Sequence, residues 1–159
     1  MSDMSLEVEN YNRMAKTFFG SQHPLFRTFG IEIVRVAAGK AVMKMPYSPG
    51  LADKRAALHR GALVTLLDTA CGLAIFSALD SLRPIATIDL RVDFLRTIPP
   101  NTGLVAEIEC VGKTDRIAYI MGKGYATDDD EPIALVAGSF AIDTLGPSFG
   151  SAAAQENGA

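Results

Sequence analysis

The sequence predicts an α+β domain in which one antiparallel sheet wraps around a single long helix. Three observations lead there. Residues 59–79 form a stretch of helical length with almost no polar face, two short strand-like runs precede it, and four more follow it with few other helical signals. A helix that is apolar all round must be buried on most of its sides. A sheet drawn from strands before and after it in the chain supplies that cover.

The 159 residues suffice for one domain with a sizeable core, and no composition shift marks a second. The expected organisation is a single domain over 1–144 and a flexible tail over 145–159, where Gly, Ala and Ser dominate. Taken in order, Val8, Tyr11, Met14, Ala15 and Phe18 recur at helical spacing and predict a short amphipathic helix ending at Gly20. Ile31–Val36 and Ala41–Met45 alternate as strands around a turn at Ala38-Gly39-Lys40, and Tyr47–Ala57, with Pro49-Gly50, reads as a loop. The long helix carries Ala62, Leu63, Val64, Leu66, Leu67, Ala70, Leu73, Ala74, Ile75, Phe76, Ala78 and Leu79. From Thr87 to Phe94 the alternation is strict, placing Ile88, Leu90, Val92 and Phe94 on one face and Thr87, Asp89, Arg91 and Asp93 on the other. Leu104–Val111 and Arg116–Ala126 pair around Gly112-Lys113-Thr114-Asp115, and Ile133–Ile142 closes the series. Within the second of these, Gly122 and Gly124 alternate, a pattern that permits close backbone approach.

A net charge of −3 supplies no basic field for a phosphate backbone, which argues against nucleic acid as the main partner. A small phosphorylated ligand needs only local cations, and Lys54, Arg55, Arg60, Arg96, Lys113 and Arg116 lie near the segments above. Cys71 and Cys110 sit in apolar stretches without metal-ligand spacing and are expected to be reduced and buried. Residues 1–10 lack the basic stretch and apolar run of a secretion signal, and Asp68 with Thr69 interrupts the long helix as a membrane span. The expectation is a cytoplasmic protein with no membrane partner.

Asp68 is the most informative position, because a carboxylate inside a nearly all-apolar helix is costly unless paired, hydrogen-bonded or set at a cleft. It either occupies a solvent-facing stripe or serves as a general base or nucleophile. His59 and Arg60 precede the helix, where free N–H groups and the positive end of the dipole favour developing negative charge. Taken alone, the two also fit a structural hydrogen-bonder and a solvated cation. Asp68 lies eight residues beyond Arg60, about 12 Å along a helix axis. One helix therefore cannot bring both groups to one carbonyl, but two antiparallel helices across a two-fold axis would do so twice. No phosphate loop, dinucleotide glycine fingerprint, Gly-x-Ser-x-Gly elbow or metal-binding His pair is present, and the only histidines are His23 and His59.

The run His59-Arg60-Gly61-Ala62-Leu63-Val64-Thr65-Leu66-Leu67-Asp68, with Thr87 to Arg96, resembles the hotdog-fold thioesterase superfamily, in particular its phenylacetate-degradation acyl-CoA thioesterase branch. The likeness spans about Phe29 to Asp143. It implies a hotdog fold and hydrolysis of an acyl-CoA thioester to free acid and coenzyme A, with no cofactor beyond the coenzyme A of the substrate and no metal. By the same resemblance Asp68 is the nucleophile or general base, the N–H of Arg60 polarises the carbonyl, and His59 and Gly61 shape the site. Substrate contacts are then expected from Asp53, Ala86 and Thr87, with Lys113 and Arg116 among the rim cations. It also implies a homodimer with shared sites, commonly paired into a dimer of dimers. Two positions depart from the pattern. Arg60 stands where the family has its first glycine after His, and Asp53 stands where it often has Asn. They motivate an alternative, an acyl-CoA-binding module without turnover. A hotdog dehydratase or hydratase matches the motif less well.

Overall fold

The computed structural model describes residues 24–81 and 83–144. The expected helix near the N-terminus and the expected tail lie outside them. The described chain runs α1 (Pro24–Phe29), β1 (Glu32–Ala37), β2 (Lys40–Met45), a 3-10 turn at Pro49–Leu51, α2 (Arg60–Ala78), β3 (Ile85–Phe94), β4 (Leu104–Lys113), β5 (Ile117–Ala126) and β6 (Ala134–Ile142). All six strands join one antiparallel sheet in the order β1-β2-β4-β5-β6-β3.

The sheet wraps α2. Leu63, Leu66, Leu67, Ala70, Cys71, Ala74 and Ile75 are fully buried against Val36, Met43, Met45, Leu104, Ala106 and Ile120 from the sheet. Burying each large apolar side chain contributes about 1.5–3 kcal/mol, which makes this layer the main source of stability. By length and composition α2 could cross a membrane, but here it is the core helix. It packs chiefly on β4 and β2 and far less on β3, so one flank faces a thinly covered side. Near its start a β-carbon on Gly124 would sit 3.0 Å from Leu63 Cδ1, a tight contact, while one on Gly122 would sit 2.4 Å from the Glu107 carbonyl oxygen, so glycine at 122 lets β5 lie this close to β4. Ala38 and Gly39 join β1 to β2 with φ of +46° and +80°, the backbone of a two-residue turn whose twist matches the strands.

β3 differs from its sequence reading. The register with β6 slips between Thr87 and Asp89, leaving Ile88 as an extra residue. Thr87 pairs with the buried Phe140, while Ile88 is 57% exposed. The strict alternation put Thr87 on the polar face and Ile88 on the apolar one; the bulge exchanges them, because one inserted residue reverses every side chain before it.

Candidate functional site

Gly61, Thr65, Asp68 and Gly72 recur at helical spacing along the incompletely covered flank of α2. Asp68 is half-buried there, and its Oδ1 accepts a hydrogen bond from Thr87 Oγ1 at 2.9 Å. The β3 bulge is what aims that hydroxyl at the helix. Asp68 thus combines both readings of its position, since it lies on the open stripe and has one oxygen fixed by a neighbouring strand while the other keeps its acceptor capacity.

At the helix start, His59 is the N-cap, and its Nδ1 accepts from the Gly61 N–H at 3.0 Å. A ring nitrogen that accepts places the proton of neutral imidazole on Nε2. Gly61 has therefore spent its N–H on His59, whereas the Arg60 N–H has no partner among the described residues. Of the first N–H groups of α2 this one is available to an incoming oxygen, and the helix dipole reinforces it. The Arg60 guanidinium carbon lies 4.6 Å from the ring centre of Phe94 at the end of β3. Sequence reasoning named Arg60 but missed Phe94.

The loop before α2 is pinned by hydrogen bonds. His59 N–H donates to Leu51 C=O at 2.8 Å, and Asn101 N–H to Ala56 C=O at 2.8 Å. Asp53 organises it, accepting from the backbone N–H groups of Arg55 and Ala57 at 2.8 and 3.2 Å, and from Arg55 Nε and Nη2 at 3.0 and 2.7 Å. Its hydrogen bonds with Arg55 hold its carboxyl below the usual carboxylate value. Asp53 is turned into its own loop rather than towards Asp68. An open cleft of about 490 Å³ lies between this loop and the helix, lined by Phe29, Leu51, Asp53, His59, Gly61 and Thr65 among others.

The remaining candidates lie further along. Thr87 meets Asp68, whereas Ala86, exposed next to it on β3, is turned by the strand's alternation to the face away from that hydrogen bond, so the structure does not bring its side chain to Asp68. Lys113 and Arg116 flank the β4–β5 turn, at the end of the sheet near the C-terminus of α2, where Gly39 approaches both Ala78 and Cys110. The structure places them far from His59 and Arg60 of the same chain. Cys71 is buried as expected, whereas Cys110 is only half-buried; burial, and then the nearby Asp68 charge, push the Cys71 thiol far up, and burial also raises Cys110, which disfavours the thiolate at both.

Comparison with known proteins agrees with this architecture. The thioesterase superfamily profile matches residues 56–133, the span from the loop before α2 to the start of β6. A protein of Halobacterium salinarum, provisionally named an esterase, is 35% identical over 134 residues, covering 76% of this chain and 85% of that protein. Among solved structures, a thioesterase family protein from Silicibacter pomeroyi superposes with a TM-score of 0.74 at 27% identity, covering 83% of this chain and 97% of its own. The PaaI protein of the Escherichia coli phenylacetic acid degradation operon shares the fold with a TM-score of 0.75 at 18% identity, covering 89% and 98%. This chain belongs to the thioesterase superfamily, as a hydrolase built on the hotdog fold.

Proposed function

We propose that the protein is a cytoplasmic acyl-CoA thioesterase whose sites are shared between two copies, with Asp68 from one chain and the Arg60 N–H from the other. The observation that carries this reading is the half-buried Asp68, held by Thr87 on the open flank of an otherwise apolar helix. Its own Arg60 lies at the start of the same unbroken helix, about 12 Å away by the helical rise. A two-fold axis along the open flank, with the β3 edges of two copies side by side, brings each helix start to the other chain's Asp68. It also brings each helix start towards the end of the partner sheet that carries Lys113 and Arg116, where cations suit the phosphates of coenzyme A. Such pairs can associate further into a dimer of dimers.

The chemistry follows from these groups. The thioester oxygen accepts from the Arg60 N–H, so negative charge developing on it meets a fixed donor and the helix dipole. The free oxygen of Asp68 either takes a proton from water as that water attacks the carbonyl carbon, or attacks the carbon itself and is released by water in a second step. In both cases the carbon–sulfur bond breaks, the sulfur leaves as coenzyme A thiol, and the acid is released. Because Asp53 is engaged with Arg55, it is no rival carboxylate at the reacting carbon.

The test is free-thiol release from a panel of short, medium, long and aromatic acyl-CoAs. Turnover is expected for some of them, and Asp68→Asn should lower it by about 10²–10⁴-fold while the protein stays folded. Full turnover by a folded Asp68→Asn variant overturns the role of Asp68. Coenzyme A ester binding without thiol release would replace the thioesterase with a binding module.

A further inference from the structure

We infer that the Arg60 side chain, laid on the ring of Phe94, selects acyl groups that carry a carboxylate a few carbons beyond the thioester. The inference rests on the proposed site, because it is the Arg60 N–H that fixes where the carbonyl lies. Arg55, Arg83, Arg91 and Arg96 each meet a carboxylate. Arg60 instead makes its contact with a ring and has neither an ion pair nor a side-chain hydrogen bond among the described residues. With its carbon over the Phe94 ring, the guanidinium keeps its N–H groups without a protein acceptor among the described residues, and a planar guanidinium can grip a carboxylate with two parallel bonds. The half-buried Phe94 restricts a side chain that would otherwise sample many rotamers, so less freedom is lost when an anion docks.

Reach decides which anion. From its own backbone nitrogen the guanidinium extends about 7 Å, the length of two extended residues. In coenzyme A the nearest phosphorus is about fourteen bonds from the thioester carbon, roughly 16 Å when extended. A carboxylate at the far end of a four- or five-carbon diacid lies about 4–5 Å from that carbon, within the range the side chain covers. The substrate class is therefore the coenzyme A thioester of a short dicarboxylic acid. The substitution at the first glycine position becomes a recognition element.

The experiment compares glutaryl-CoA with its monomethyl ester, which has the same chain without the charge, in the native protein and in Arg60→Gln, Arg60→Lys and Phe94→Leu. Native kcat/KM should favour the acid by on the order of tenfold. That preference should collapse towards unity in Arg60→Gln and be reduced in Arg60→Lys and Phe94→Leu. A native ratio of one or less, or an unaltered ratio in Arg60→Gln, overturns the inference. Calorimetry with the non-hydrolysable carboxybutyl-CoA thioether, its methyl ester and free coenzyme A separates this from the hydrolytic reading. If no ester is turned over but the charged thioether still binds more tightly in an Arg60-dependent way, hydrolysis fails and the selection stands. If Arg60→Gln weakens free coenzyme A by the same factor as the charged thioether, the guanidinium reads phosphate and the inference falls.

Discussion

A hydroxyl one bulge away from the expected face gives the site its geometry. Thr87 holds one oxygen of Asp68 in place, so Thr87→Val should lower kcat by about tenfold with a smaller change in KM, while Thr87→Ser should restore most of it. Thiol-release kinetics on the three proteins checks this, since a purely structural threonine would move stability but not that ratio. Much of the site was legible residue by residue. A carboxylate among leucines and a histidine before a helix stand out by chemical type alone. The Asp68–Thr87 bond was not legible, because periodicity assumes an unbroken strand and the bulge at Ile88 reverses the face. Nor was the Arg60–Phe94 contact, which joins residues 34 positions apart in sequence.

Among the elements, the β1–β2 turn holds a removable strain. Ala38 sits at φ +46° beside Gly39 at +80°, and a side chain there costs about 1 kcal/mol unless the residue tolerates the left-handed region. Ala38→Asn should therefore stabilise the fold by about 0.5 kcal/mol and raise Tm by a few degrees, as thermal unfolding will show. The strands and the core helix were readable within a few residues, because alternation and continuous apolarity report burial directly. The short helix Pro24–Phe29 escaped that reading, having too few residues for a period to declare itself. The order β1-β2-β4-β5-β6-β3 was also beyond reach, because which strands become neighbours depends on closure around the helix rather than on any local pattern.

For the whole molecule, β3 is an edge of ten residues with Ile88 57% exposed and its outer hydrogen-bonding row unpaired by the described chain. If a second copy covers it, Ile88→Asp should yield monomers in analytical ultracentrifugation and lose thiol release together with assembly. Acid should weaken the fold through a different set of groups. Hydrogen bonds from Arg83 hold the Asp143 carboxyl below its ordinary value of 3.8, and backbone and Arg96 hydrogen bonds do the same for Asp129. The unfolded chain takes up these protons first as pH falls. The stabilisation is therefore complete above about pH 4 and is lost below it as each depressed value is crossed. Denaturant unfolding across that range should show Arg83→Gln with a shallower acid dependence than the native protein. Its contribution is small because the pair is exposed.

The placement of α2 in the chain has a consequence during synthesis. Of the described strands, β1 and β2 alone leave the ribosome before the helix, and β4, which becomes one of its principal supports, is still to come. During that interval an apolar segment of membrane-spanning length stands uncovered. Asp68 is the one charge between Gly61 and Ala78, and a carboxylate near the middle of a bilayer costs about 2.5–3.5 kcal/mol on translocon scales. The residue proposed to perform the chemistry thus also disfavours the nascent helix from partitioning into lipid before its sheet arrives.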